Sequence, residues 1–487
     1  MPKIDIEMFI KEAYENYASS FNGHFKAGYA VAGAHFGDEG KGKIVDSLAE
    51  QLKNEGFKII NYRGQGGGNA GHTVIDSETK KEYHFHYLPS GGLKADIILL
   101  GAGMLLDPIK VVKEAKVLPD SVNILVDERA TLSIEMERLL DGYFEQLRES
   151  NGVQAIGTTG SGVGTTAAHR ALRCHVTFAD AKKAGTPEEL HKLFMQTPHL
   201  PQNIVSKLDN EYCKKVLKAV NKLRIVNSSV IFQKCISEGW AGLLELSQAF
   251  GLDMIHGNGG HFVTSTHTTV PGALADVGLS EKDIPNGSVI IAKAYASKVG
   301  AGPFVTEFEE SNQEIAKYIY DVNGEKGVTT GRVRSLGYFD CLAVAEALRK
   351  NGTTTLAINC MDTIGMIPGG ISKICVGYKN KNTGEEIQYW PYNQDDYIPI
   401  YREIPTSWNI KHCTDEHELP DAVWEYLANI EYFTGASVKY IGTGGGSKDL
   451  VVIGNYGRCQ INRCLWHIIP WIWMLVIILF VIILRRV

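Results

Sequence analysis

GYAVAGA (residues 28–34), the turn GDEGKGK (37–43) and IVDSLAEQL (44–52) together decide the fold. The first is a short, continuous run of apolar and small residues, which predicts a buried strand. In the last, Ile44, Val45, Leu48 and Leu52 fall on one face of an amphipathic helix. The unit therefore reads strand, glycine-rich loop, helix. Glycines let backbone N–H groups turn toward an anion, the helix N-terminus adds a favourable dipole, and Lys41 supplies a point charge, so the loop is built to hold phosphate. Only two residues separate Gly37 and Gly40, which departs from the usual phosphate-loop spacing. Asp38 and Glu39 would repel a triphosphate unless a divalent cation or a proton transfer employs them, which implies Mg²⁺ and a general base.

Working outward, strand-type runs at KIINY (58–62), DIILLG (96–101) and VNILVD (122–127) alternate with helical stretches such as PIKVVKEAKVL (108–118). That alternation predicts an α/β fold: a single large, phosphate-loop-like domain over 27–455, with a mostly parallel central sheet covered by helices. A small helical insertion is expected around 180–225, where Lys, Glu and Leu dominate. Residues 1–26 read as a charged helical extension with an apolar stripe of Ile4, Ile6, Phe9, Ile10 and Ala13. A net charge of −6 gives no reason to expect a nucleic-acid partner. The nine cysteines are scattered and never spaced C-x-x-C, which speaks against a disulfide framework or structural zinc and for a reducing, cytoplasmic compartment.

The chain from 456 to 487 differs in character. Leu465 to Leu484 reads LWHIIPWIWMLVIILFVIIL, long and apolar enough to span a bilayer as a helix. A C-terminal membrane anchor, a terminus unrelated to the fold and a buried core helix all compete for it. Basic residues flank both ends (Arg458, Arg463, Arg485, Arg486), so the charge rule assigns no orientation.

A second glycine-rich loop, GQGGGNAGHTV (64–74), again follows a strand. In it His72 can donate a proton or polarise a phosphoryl oxygen. Further on, Arg332 and Arg334 lie on a glycine-containing loop, and two guanidinium forks suit a dicarboxylate.

With these residues in view, GDEGKGKIVD together with NAGHT resembles the adenylosuccinate synthetase family. The resemblance continues in order through LPSGGL (88–93), GAGMLLDP (101–108), IGTTGSGVG (156–164), VTSTHTT (263–269), VGAGPFVTE (299–307), GVTTGRVRSLGYFD (327–340) and YIGTGGGSKDL (440–450). It implies a ligase that joins L-aspartate to IMP at the expense of GTP, through a 6-phosphoryl intermediate, with Mg²⁺ as cofactor. By the same resemblance Asp38 is the base at N1 and a metal ligand, His72 the acid at the 6-oxygen, and Gly71 a carbonyl ligand to the metal. Gly40, Lys41, Gly42, Arg334, Asp362 and Gly444 are expected at the donor nucleotide, and Asn69, Thr159 and Thr264 at the monophosphate nucleotide. Thr329, Thr330 and Arg332 are expected to hold aspartate. A homodimer is implied, with His169, Arg170 or Arg173 reaching the partner's nucleotide.

Several positions depart from the family pattern. In SEGWAGLLEL (237–246), Trp240 and Ala241 are expected to stand where many members carry Ala-Gln, at the cost of an amide on the monophosphate nucleotide. Ser161 replaces a frequent arginine, and Cys360 replaces the lysine of the base-recognition motif that ends in Asp362. ATP is therefore an alternative donor. Two further readings stay open: a viral-type relative that joins aspartate to dGMP with ATP or dATP, and a non-catalytic nucleotide-binding protein.

Overall fold

The computed structural model describes residues 3–18, 21–75, 81–198, 200–325 and 331–468. Ten strands form the central sheet: β1 (Ala27–Gly33), β2 (Ile59–Arg63), β3 (Ile97–Leu100), β4 (Asn123–Asp127), β5 (Arg224–Val226), β6 (Ala241–Ala249), β7 (Ser288–Lys293), β8 (Thr355–Asn359), β9 (Ser437–Gly442) and β10 (Leu450–Val452). Across the sheet they run β10–β9–β8–β7–β1–β6–β2–β3–β4–β5. Every neighbour is parallel except the edge pair β9–β10.

Both faces of this sheet are covered, so its central strands are apolar without alternation. Ala30, Ala32 and Leu244 face one core layer, while Val31 and Leu243 face the other, where Ile44, Val45 and Leu48 of helix α2 (Lys41–Asn54) pack. The amphipathic face read from the sequence is the face α2 buries. As expected, short helices fill 178–220: Phe178–Ala184, Pro187–Phe194, Gln202–Val205 and Asn210–Val220.

Ahead of β1, helix α1 (Ile6–Glu15) buries Ile6, Phe9 and Ala13, with the Phe9 ring 5.4 Å from that of Trp240. At the other end, helix α8 (Asn455–Ile468) lies on helix α7 (Asp421–Thr434): Ile461 is fully buried and Arg458 pairs with Glu431 at 2.7 Å. The packed body thus runs past 455 to Ile468. From 469 on, the apolar run lies outside the described residues, and among the described residues no helix is long and apolar enough to cross a membrane.

Candidate active site

In a parallel sheet the loops at the carboxyl ends of the central strands form the natural crevice. Here the turn after β1 carries Asp38, Lys41 is the first residue of α2, and the loop after β2 carries Asn69, Gly71 and His72. Asp38 adopts φ +57°, a left-handed conformation that aspartate tolerates better than most side chains. Gly40 has φ +84°, and a Cβ there would lie 2.6 Å from the Asn359 amide nitrogen, so both the backbone turn and the close approach require glycine.

Asp38, Lys41, Asn69, Gly71, His72, Thr159, Gln248 and Arg334 line one cavity of about 110 Å³. It opens beside a larger one of about 550 Å³ that shares Asn69, Thr159 and Gln248 and adds Thr264 and Lys298. The acid of the first glycine turn and the imidazole of the second loop therefore face a common space. Arg332 stands at its rim, donating to the Gly157 carbonyl at 2.8 Å. Gly40 and Gly42 belong to the first turn of α2, and Gly444 lies beyond them, its carbonyl accepting from Lys43 at 2.8 Å. Asp362 is on the same side, its carboxyl pushed up by burial and drawn back by Lys43. Thr329 and Thr330 lie outside the described residues.

The electrostatics of the two catalytic candidates differ. Asp38 is a quarter exposed and pairs with Arg334 at 2.6 Å. His72 is buried, and its Nδ1 meets Glu245 on β6. Burial holds the imidazole below its usual range against the pull of Glu245. Burial would raise the Glu245 carboxyl, but His72, Arg63 and the Ser90 N–H outweigh it and keep Glu245 ionised. The Ser90 hydroxyl also donates to Glu245, at 2.7 Å. With Nδ1–H donated to a carboxylate, Nε2 is the nitrogen left for the cavity. Glu39 lies deeper, accepting from the His35 N–H, and burial raises its carboxyl to about 7.

Two residues escaped the sequence reading. Glu245 and Gln248 sit in GLLELSQAF, where a carboxylate and an amide inside an apolar strand were the available signal. Gln248, at φ +60° on β6, lines both cavities, so an amide does face the expected monophosphate site. The assignment of Trp240 and Ala241 to that position is therefore corrected. Trp240 precedes the amino end of β6, away from the crevice, and is buried against α1.

A sequence model described as adenylosuccinate synthetase matches residues 30–451. This chain belongs to the adenylosuccinate synthetase family. It is 34% identical over 437 residues to the adenylosuccinate synthetase of Wolinella succinogenes, covering 86% of this chain and 98% of the relative. An adenylosuccinate synthetase of Clostridium botulinum is 33% identical over 445 residues, covering 85% and 96%. Among solved structures, fully ligated adenylosuccinate synthetase from Plasmodium falciparum superposes with a TM-score of 0.78 at 27% identity, covering 88% of this chain and 99% of that one. A cyanophage S-2L succinoaminodeoxyadenylate synthetase, bound to dGMP and dATP, superposes at 0.58 with 18% identity, over 91% and 100% of the chains, and shares the fold. The activity expected from the sequence, a ligase joining aspartate to IMP, is that of the adenylosuccinate synthetase family.

Proposed function

We propose that this chain condenses L-aspartate with IMP, using GTP, and that Asp38 and His72 carry the chemistry. One observation supports the assignment most: both side chains line the same cavity, with Asn69, Thr159 and Gln248 around it. The purine 6-oxygen is a poor leaving group, so it must first be phosphorylated. Asp38 takes the proton from N1, the 6-oxygen then attacks the γ-phosphorus, and GDP leaves. Aspartate's amine next attacks C6, expels phosphate and loses a proton. His72 meets the phosphoryl oxygen through Nε2: an anion there draws a proton onto the ring, and Glu245 stabilises the imidazolium that forms. Arg332 and Arg334 present two forks to aspartate and donor. Positioning and charge stabilisation supply most of the rate.

The site fits Mg²⁺. One partly exposed carboxylate, Asp38, beside a loop backbone at Gly71 is the sparse oxygen set that Mg²⁺ accepts when phosphates and water complete its shell. Asp38 and the Gly71 carbonyl would hold it, and it would neutralise charge on the transferring phosphoryl group.

Among the three candidates for reaching a partner subunit, Arg173 fits best. His169 is taken by Glu137 at 2.9 Å, and Arg170 donates to the backbone of Ala102 and Gly103. Arg173 is exposed, at φ +62°, beside the exposed Leu172. That arrangement supports a homodimer. All nine cysteines are free, in keeping with a reducing, cytoplasmic setting.

Cys360 at the donor-base turn favours the second reading, dGMP with ATP. Gln248, lining both cavities, removes the reason drawn from Trp240 and Ala241. The test offers purified protein aspartate and Mg²⁺ with IMP or dGMP and with GTP or ATP, followed by ultraviolet absorbance and phosphate release. Turnover with IMP and GTP is expected. Turnover with dGMP alone would reject the assignment, and none with any pair would point to a nucleotide-binding protein.

A further inference from the structure

Lys43 has no part in the mechanism above, yet it is a buried cation on the donor side. It leaves the first turn of α2, is only 8% exposed, and donates to the Gly444 carbonyl at 2.8 Å. Its ammonium lies flat against Gly442, where a Cβ would stand 2.9 Å from Nζ. Asn359, at the end of β8, closes the same corner by donating to the Glu39 carbonyl at 2.7 Å. The charges of Asp362 and Asp449 act favourably on Lys43, that of Lys411 acts on Asp362, and the Cys360 thiol stands at the turn that carries Asp362. Burial pushes that thiol up to about 11, so position 360 supplies no charge to the corner.

We propose that Lys43 is a specificity-determining positioning residue for the donor nucleotide: by tying the phosphate helix to the Gly444 loop, it sets how the donor's base is read relative to its phosphates. This rests on the donor-site reading above. A covalent stem from the phosphate loop that ends in the base-recognition corner couples two halves of one ligand site. Losing it leaves the carbonyl of Gly444 without its donor and frees the Gly444 loop from the phosphate helix, which weakens the donor and leaves IMP and aspartate alone.

The test compares wild type, Lys43→Met and Lys43→Arg in full-length protein. For Lys43→Met, KM for GTP is expected to rise about tenfold or more, with the preference for GTP over ATP reduced. KM for IMP and for aspartate should stay within about twofold, kcat should fall by less than the GTP KM rises, and Lys43→Arg should recover part of the loss. If Lys43→Met does not fold, Lys43→Gln, which keeps a donor without the charge, carries the same comparison. An equal rise in all three KM values, or an unchanged donor preference, would overturn the proposal. Binding of a fluorescent GTP analogue separates the two levels. A wild type that binds the analogue but makes no product with any nucleotide pair refutes the assigned reaction, while the ratio of analogue affinities still tests Lys43.

Discussion

Arg334 reaches across from the arginine loop to pair with Asp38 at 2.6 Å, while its other guanidinium arm is held by Glu325, which also takes Lys293 at 2.7 Å. Glu325 is 1% exposed, so this chain of alternating charges is anchored in the core and ends at the cavity. Under the reaction proposed above, Arg334 would exchange Asp38 for an anionic group of a substrate as the site fills.

If Asp38 is that base, Asp38→Asn should lower kcat by about 10²–10⁴-fold, the range of a lost general base. Asparagine tolerates the left-handed backbone at this position, so the thermal midpoint should hardly move. Steady-state kinetics beside a melting curve decide it; a near-normal kcat in folded protein removes Asp38 from the role.

Glu245→Gln keeps shape but loses the charge that supports His72. Because the carboxylate fixes the imidazole's tautomer and stabilises its protonated form, kcat should drop by at least about 10²-fold. Binding of IMP, measured calorimetrically, should change little. Unimpaired turnover would mean that His72 acts without this partner.

Glu39 ties stability to pH. Its folded-state carboxyl titrates near 7, above the ordinary value, because burial disfavours the charge. Its contribution is thus complete below about pH 4.5 and is lost as pH rises through about 7, amounting to roughly 3 kcal/mol. Urea titrations of unliganded protein from pH 5 to 8 should show a steeper decline for wild type than for Glu39→Gln. Parallel curves would show that Glu39 stays ionised throughout.

Shortening the chain tests whether α8 belongs to the packed body. A protein ending at Ile468 keeps Ile461 buried and Arg458 on Glu431, whereas one ending at Gly454 loses both. The Gly454 end should melt several degrees lower than the Ile468 end. Within full-length protein, Ile461→Ala should cost about 2–4 kcal/mol. Equal melting temperatures for the two ends would deny α8 a structural role.

Much of this enzyme is written locally. The run from Gly28 to Leu52 specifies strand, turn and helix through its own periodicity and glycines, and the loop from Gly64 to Val74 declares a ligand-accessible histidine by the same means. Such features need no knowledge of distant residues, so the sequence alone determined the α/β class, the phosphate loop and the pairing of Asp38 with His72 as candidates. Only the tertiary structure decided what supports them. Glu245 meets His72 across 173 positions because β6 is inserted between β1 and β2, and that same strand carries Gln248 to the crevice and leaves Trp240 beyond its opposite end. Strand order is set by which buried faces pack best over the whole sheet, a cooperative outcome that no short window of residues contains.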